Sequence, residues 1–119
     1  MLRELEKVSQ IPGESRRRWF CDDYFDLIVW YSPDKKITGF QLCYNKDQDE
    51  HAITWKNPST YLHHRVDDGE SKPTRKGTSI LVSDGMFDNR MVAERFLRES
   101  SKIDKHVVKL VHEKLVQYV

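Results

Sequence analysis

The sequence predicts an α+β domain: an antiparallel β-meander of about four to five strands, two C-terminal helices packed on one face, and a short N-terminal helix. Three observations carry this expectation. Two runs rich in aromatic and β-branched residues, Tyr24 to Tyr31 and Ile37 to Tyr44, flank the turn Pro33-Asp34-Lys35-Lys36. Shorter apolar runs separated by turn residues follow, and beyond Asp88 the apolar spacing becomes helical. Strands in one block and helices in another argue against a doubly wound sheet, in which the two would alternate.

In chain order, Leu2, Leu5 and Val8 recur among Arg3, Glu4, Glu6 and Lys7, the apolar stripe of a helix of about two turns. Pro12-Gly13 ends it. Arg16-Arg17-Arg18 runs directly into Trp19-Phe20, as a basic arm or as an edge strand folded back through Asp22-Asp23. Tyr24 to Tyr31 and Ile37 to Tyr44 form a hairpin, because Pro33 presets φ for a turn and Asp34 favours the next position. Centring that turn on Asp34 pairs Val29 with Gly39 and Ile28 with Phe40. Asn45 to Glu50 has no apolar residue and reads as a loop.

His51 to Lys56 is a third strand, Asn57-Pro58-Ser59 a turn, and Thr60 to Val66 a fourth strand. Asp67 to Thr78 is too polar to order itself and is expected to be a mobile loop, with Ser79 to Val82 a short fifth strand beyond it. Asp88 caps a helix running to about Ser100, with Met91, Val92, Phe96 and Leu97 in its apolar stripe. Asp104 starts the second helix, stapled by Ile103 and Val108, with Val107, Val111, Leu115 and Val119 at helical spacing.

A chain of 119 residues suits one domain, 1–119, built on a single core. Hydrophobic residues at 38% against 33% charged ones place it among globular chains. Twenty basic and nineteen acidic residues give a net charge of +1, which argues against a bulk attraction to nucleic acid or to an anionic membrane. No apolar run approaches the ~20 residues of a membrane span, and MLRELEKVSQ does not have the apolar segment of a signal peptide, so a cytoplasmic location is expected. Cys21 and Cys43 are the only cysteines, too few for a disulfide framework; the hairpin register puts Cys43 opposite Phe25, so free thiols are expected.

The segments RRRWFCDDYFDLIVWY, GFQLCY, HHRVDDGE and SILVSDGMFD resemble a family of small uncharacterised bacterial proteins found as stand-alone domains. The resemblance spans most of the chain and implies a bacterial, cytosolic, single-domain protein. The family carries no assigned reaction or ligand, so the resemblance transfers no site residue.

Carrying the register through all four strands groups Asp26, Trp30, Tyr44, His51, Trp55, His63 and Arg65 on one face. The opposite face, with Phe25, Leu27, Val29, Tyr31, Ile37, Ala52, Leu62 and Val66, is then the one expected under the helices. An Arg fork, stacking Trp rings and titratable His side chains suit a ligand with an anionic and a planar apolar part. The bland alternative is an amphipathic sheet face whose charges are merely solvated. The leading expectation is therefore a non-enzymatic binding or interaction module for a small ligand, a protein partner or a second copy of the chain. One alternative is a small enzyme using His51 or His63 as acid/base beside Asp26 and Arg65. A second is nucleic-acid binding through Arg16-Arg18, against which stand Asp22, Asp23 and Asp26 directly downstream. No metal site is expected, since adjacent His63 and His64 point to opposite faces of a strand, and no cofactor is implied. Cys43, inside a strand between Leu42 and Tyr44, reads as a small buried hydrophobe.

Overall fold

Backbone pairing extends further than the apolar runs alone indicate. In the structure, a computed structural model that describes residues 1–6, 8, 10, 12–13, 15–46, 50–65 and 88–118, the chain forms β1 (Arg3–Glu4), β2 (Arg16–Cys21), β3 (Asp26–Tyr31), β4 (Ile37–Tyr44), β5 (His51–Lys56) and β6 (Thr60–Arg65), then α1 (Asn89–Glu99) and α2 (Lys105–Gln117). The strands make one antiparallel six-stranded sheet in the order β1-β2-β3-β4-β5-β6, so every sequential pair is adjacent. The α+β class holds, with six strands where four to five were expected. The expected mobile loop Asp67 to Thr78 and the strand Ser79 to Val82 lie outside the described residues.

Both additional strands come from the N-terminal segment. Arg16-Arg17-Arg18 is part of β2 and not a free arm; it pairs with β3 through a turn in which Asp22 Oδ1 accepts from the backbone amides of Tyr24 and Phe25. Residues 3–4 are a strand and not a helix. The Leu5 amide donates to the Trp19 carbonyl, and the Leu2 amide donates to Glu99 at the end of α1. A two-turn helix is below the length at which isolated helices hold in water. The edge of β2 offers the same backbone amides and carbonyls ready-made partners, and Leu2 becomes fully buried.

The helix starts follow the capping residues. Asp88 accepts from the Met91 amide at 3.2 Å and Asp104 from the His106 amide at 2.8 Å. Asn89 Nδ2 donates to the Leu115 and Tyr118 carbonyls, which ties the start of α1 to the end of α2 and sets the helices antiparallel. Val92, Ala93 and Phe96 of α1 and Val107, Val111 and Leu115 of α2 are buried against Leu27, Val29, Phe40, Leu42 and Ile53 of the sheet. Met91 and Leu97, expected in the α1 stripe, are exposed, and Ala93 takes the inward position.

One residue reverses the facing of β4 relative to β3. The turn is centred on Asp34 as its composition indicates, and Tyr31 pairs with Ile37. The next pair is Trp30 with Gly39, so Thr38 is an extra residue in β4, a β-bulge, with its hydroxyl donating to the Trp30 carbonyl. Beyond the bulge Val29 faces Phe40 and Ile28 faces Gln41, one step from the expected register. The registers β4 with β5 and β5 with β6 are those expected from turns near Asp47-Gln48 and Pro58: Tyr44 faces His51, and His51 faces Arg65.

The helices therefore cover the face expected to stay open from β4 onward. Phe20, Leu27, Val29, Phe40, Leu42, Tyr44, Ile53 and Trp55 all join the core, while Ala52 and Leu62, expected beneath the helices, belong to the outer face. Cys21 and Cys43 each pair with Asp26, from opposite sides, which puts them two strands apart. Two strand spacings are roughly 10 Å, beyond bridging distance. Both thiols are free, and burial, opposed by a Gln41 hydrogen bond, pushes Cys43 up to about 11.

Candidate ligand-binding site

The residues singled out in the sequence divide between the two faces. On the helix side, the row Tyr44-His51-Arg65 lies beside the row Leu42-Ile53-His63, followed by Phe40-Trp55-Tyr61. Asp26 and Trp30 alternate with Leu27 and Val29 and so project to the outer face. The bulge at Thr38 is what separates them: an added residue shifts every later pair by one, and one step exchanges faces.

Tyr44, His51 and His63 form a tight stack. Their ring centroids are 5.5–6.1 Å apart with interplanar angles of 10–21°. Tyr44 Oη is 2.6 Å from His63 Nε2. Tyr44 and His51 are buried, so this cluster is part of the packed layer. Trp55 is buried beside it, with Phe40 at 5.9 Å and the Lys114 ammonium 4.9 Å from its ring centre. Asp26 lies through the sheet from His51 and His63, and its carboxylate is 3.3 Å from Lys46 Nζ, which also donates to the Asp22 carbonyl. The His/Asp/Arg grouping is thus split by the sheet itself. Among the described residues, no three His, Cys, Asp or Glu side chains are grouped to hold a metal ion.

The outer face carries a different constellation. Its rows read Arg17-Trp30-Gly39-Lys56, then Trp19-Ile28-Gln41-Thr54-Leu62, then Cys21-Asp26-Cys43-Ala52-His64. The last row is largely buried from Ala52 to His64. Burial, followed by the nearby His51, pushes the His64 imidazole below its usual value, and its Nδ1 has no hydrogen-bond partner among the described residues.

The first row lies at the open end. Trp30, Thr38 and Gly39, with Lys56 and Asn57 at the end of β5 and Gly13 and Ser15 ahead of β2, line a cleft of about 590 Å³. Lys56 Nζ is 5.8 Å from the Trp30 ring centre, within cation-π range. Gly39 is required there: a Cβ at that position would lie 2.7 Å from the Trp55 carbonyl oxygen. Its missing side chain leaves an uninterrupted gap between Trp30 and Lys56.

No family model, curated protein or solved structure matches the chain, so residue geometry carries the functional argument. Of the expected site residues, only Trp30 lines this cleft; Lys56, Thr38, Gly39 and Asn57 were missed. The signal available for them was indirect, since Asn57-Pro58 already marked a turn that would carry Lys56 to the end of its strand. Among the described residues no helix is long and apolar enough to cross a membrane.

Proposed function

We propose that this chain is a non-enzymatic binding module whose outer-face cleft takes a ligand with one planar apolar part and one anionic part. The observation that carries this reading is the Trp30-Lys56 pair, a half-buried indole with an ammonium 5.8 Å from its centre, at the edge of a cleft of about 590 Å³. Clefts of several hundred Å³ suit small ligands. The indole face offers stacking area, and the flexible Lys56 stem lets the ammonium swing from the ring to an anion. Thr38 and Ser15 hydroxyls and the Asn57 amide add neutral hydrogen-bonding groups.

The separation of Asp26 from His51 and His63 favours binding over acid/base catalysis, because groups that transfer protons must reach one substrate. The test uses AMP as probe, adenine being the planar part and phosphate the anionic one. In a ¹H–¹⁵N NMR titration, the Trp30 indole and the backbone amides of Gly39 and Lys56 are expected to shift saturably. Adenosine should bind more weakly than AMP, and Trp30→Ala should weaken AMP binding roughly tenfold, the scale of one lost stacking contact. Shifts confined to other parts of the chain, or none, would remove the proposal.

A further inference from the structure

We infer that the ligand of the outer-face cleft is a single strand of nucleic acid, held by its bases on Trp30 and Trp19 and by its phosphates along the basic end of the sheet. This deepens the binding proposal above and rests on it. The net charge of +1 conceals a separation of charge along the strands. In the strands and turns at the end where β2 begins, β3 turns into β4 and β5 turns into β6, the described charged residues are Arg16, Arg17, Lys35, Lys36 and Lys56, with Asp34 the single carboxylate among them. Arg16, Lys35, Lys36 and Lys56 are exposed and Arg17 is half-buried. At the other end Asp22, Asp23, Asp26 and Glu50 are balanced by Arg3, Lys46, Arg65 and the N-terminal ammonium, which lies 3.5 Å from Asp22. The acidic residues that argued against nucleic acid in the sequence are thus carried to the far end of the sheet by the length of β2 and β3.

The two indoles of the outer face lie in the basic row and in the row next to it. Trp30 is in the row of Arg17 and Lys56, and Trp19, opposite Ile28, is its diagonal neighbour on the same face. Diagonal cross-strand positions lie roughly 7–8 Å apart, so two half-buried indoles lie side by side on the outer face. Cations tracking a backbone beside aromatic platforms are what binds single strands without sequence preference, since every base has a π-face. A duplex hides its base faces in the stack, whereas a single strand offers them to the indoles, so single strands are favoured.

The experiment measures fluorescence anisotropy of labelled oligo-dA of four, eight and twelve nucleotides across a range of salt, with unlabelled AMP, duplex DNA and poly-glutamate as competitors. Affinity should rise with length to a plateau. Log affinity should fall against log salt with a slope near −2 to −3, about −0.7 for each phosphate neutralised. Trp30→Ala should weaken the twelve-mer roughly tenfold while Trp30→Phe retains most of the binding, and Lys35→Gln with Lys36→Gln should flatten the salt slope with the fold unchanged by circular dichroism. If AMP shifts Trp30 but oligonucleotides bind no tighter than AMP, the cleft takes a small ligand and this inference falls while the binding proposal stands. If neither binds, both fall. Competition by duplex or poly-glutamate as strong as by oligo-dA, or an unchanged affinity in Trp30→Ala, would reduce the binding to charge alone and overturn the inference.

Discussion

Gly39 shows how one residue couples the sheet backbone to the cleft. Its pairing with Trp30 on one side and Lys56 on the other brings the neighbouring strand so close that an added methyl would meet the Trp55 carbonyl at 2.7 Å. A carbonyl in a ladder cannot step aside as a side-chain end can, so β4 and β5 must separate. Gly39→Ala is therefore expected to destabilise the chain by about 1–3 kcal/mol, the usual cost of forcing extra volume into a packed site. Urea unfolding measures it, and a midpoint equal to wild type would show that the strands relax freely there.

At the scale of elements, the two helix caps are unequal. Asp88 accepts one amide, from Met91. Asp104 accepts the His106 amide and also meets Arg18 Nη1 at 3.0 Å, while Arg18 holds Glu4 at 2.7 Å and donates to the Tyr31 hydroxyl. The Arg18 hydrogen bond, then the His106 amide, hold the Asp104 carboxyl below the usual carboxylate range. Loss of an N-cap costs about 1 kcal/mol, and an exposed ion pair adds ~0.2–1 kcal/mol. Asp104→Ala should thus lower stability more than Asp88→Ala, and Asp104→Asn should recover the capping part but not the ion pair. Equal losses for the two alanine variants would mean that the Arg18 contact contributes nothing. The periodicity of α1 and α2 and both caps were legible in the sequence because they depend on neighbours within four residues. The strand β1 was not, because its hydrogen bonds come from Trp19 and Glu99, far along the chain.

For the whole molecule, one core joins both helices to the sheet, so protonation at either site acts on global stability. His64 is buried and its imidazole is pushed down, first by desolvation and then by His51. Above the ordinary imidazole value near 6.5 it is neutral in both states; below that, the unfolded chain takes up a proton that the folded chain resists, so stability falls. Asp104 is shifted down as well, so its contribution is present above the ordinary carboxylate value near 4 and is lost as pH falls further. The urea midpoint should decline as pH falls below about 6.5 and decline again below about 4. His64→Gln should flatten the first decline. An unchanged slope in that variant would assign the loss to other groups.

The sequence by itself determined the α+β class, four of the strands, two turns, two helices and their caps, because period, turn chemistry and capping are local properties. The registers on either side of β5, which the sequence left open, are those extrapolated from turns near Asp47-Gln48 and Pro58. Only the tertiary structure decided which side of β4, β5 and β6 faces the helices; Leu27 and Val29 of β3 face them as expected. The bulge at Thr38 inserts one residue, and with a side-chain period of two that single residue moves Asp26 and Trp30 away from Tyr44, His51 and His63. No local propensity marks Thr38 as extra. The same step buries His51, leaves His63 half-buried beside it, and keeps Trp30 and Lys56 together at the cleft.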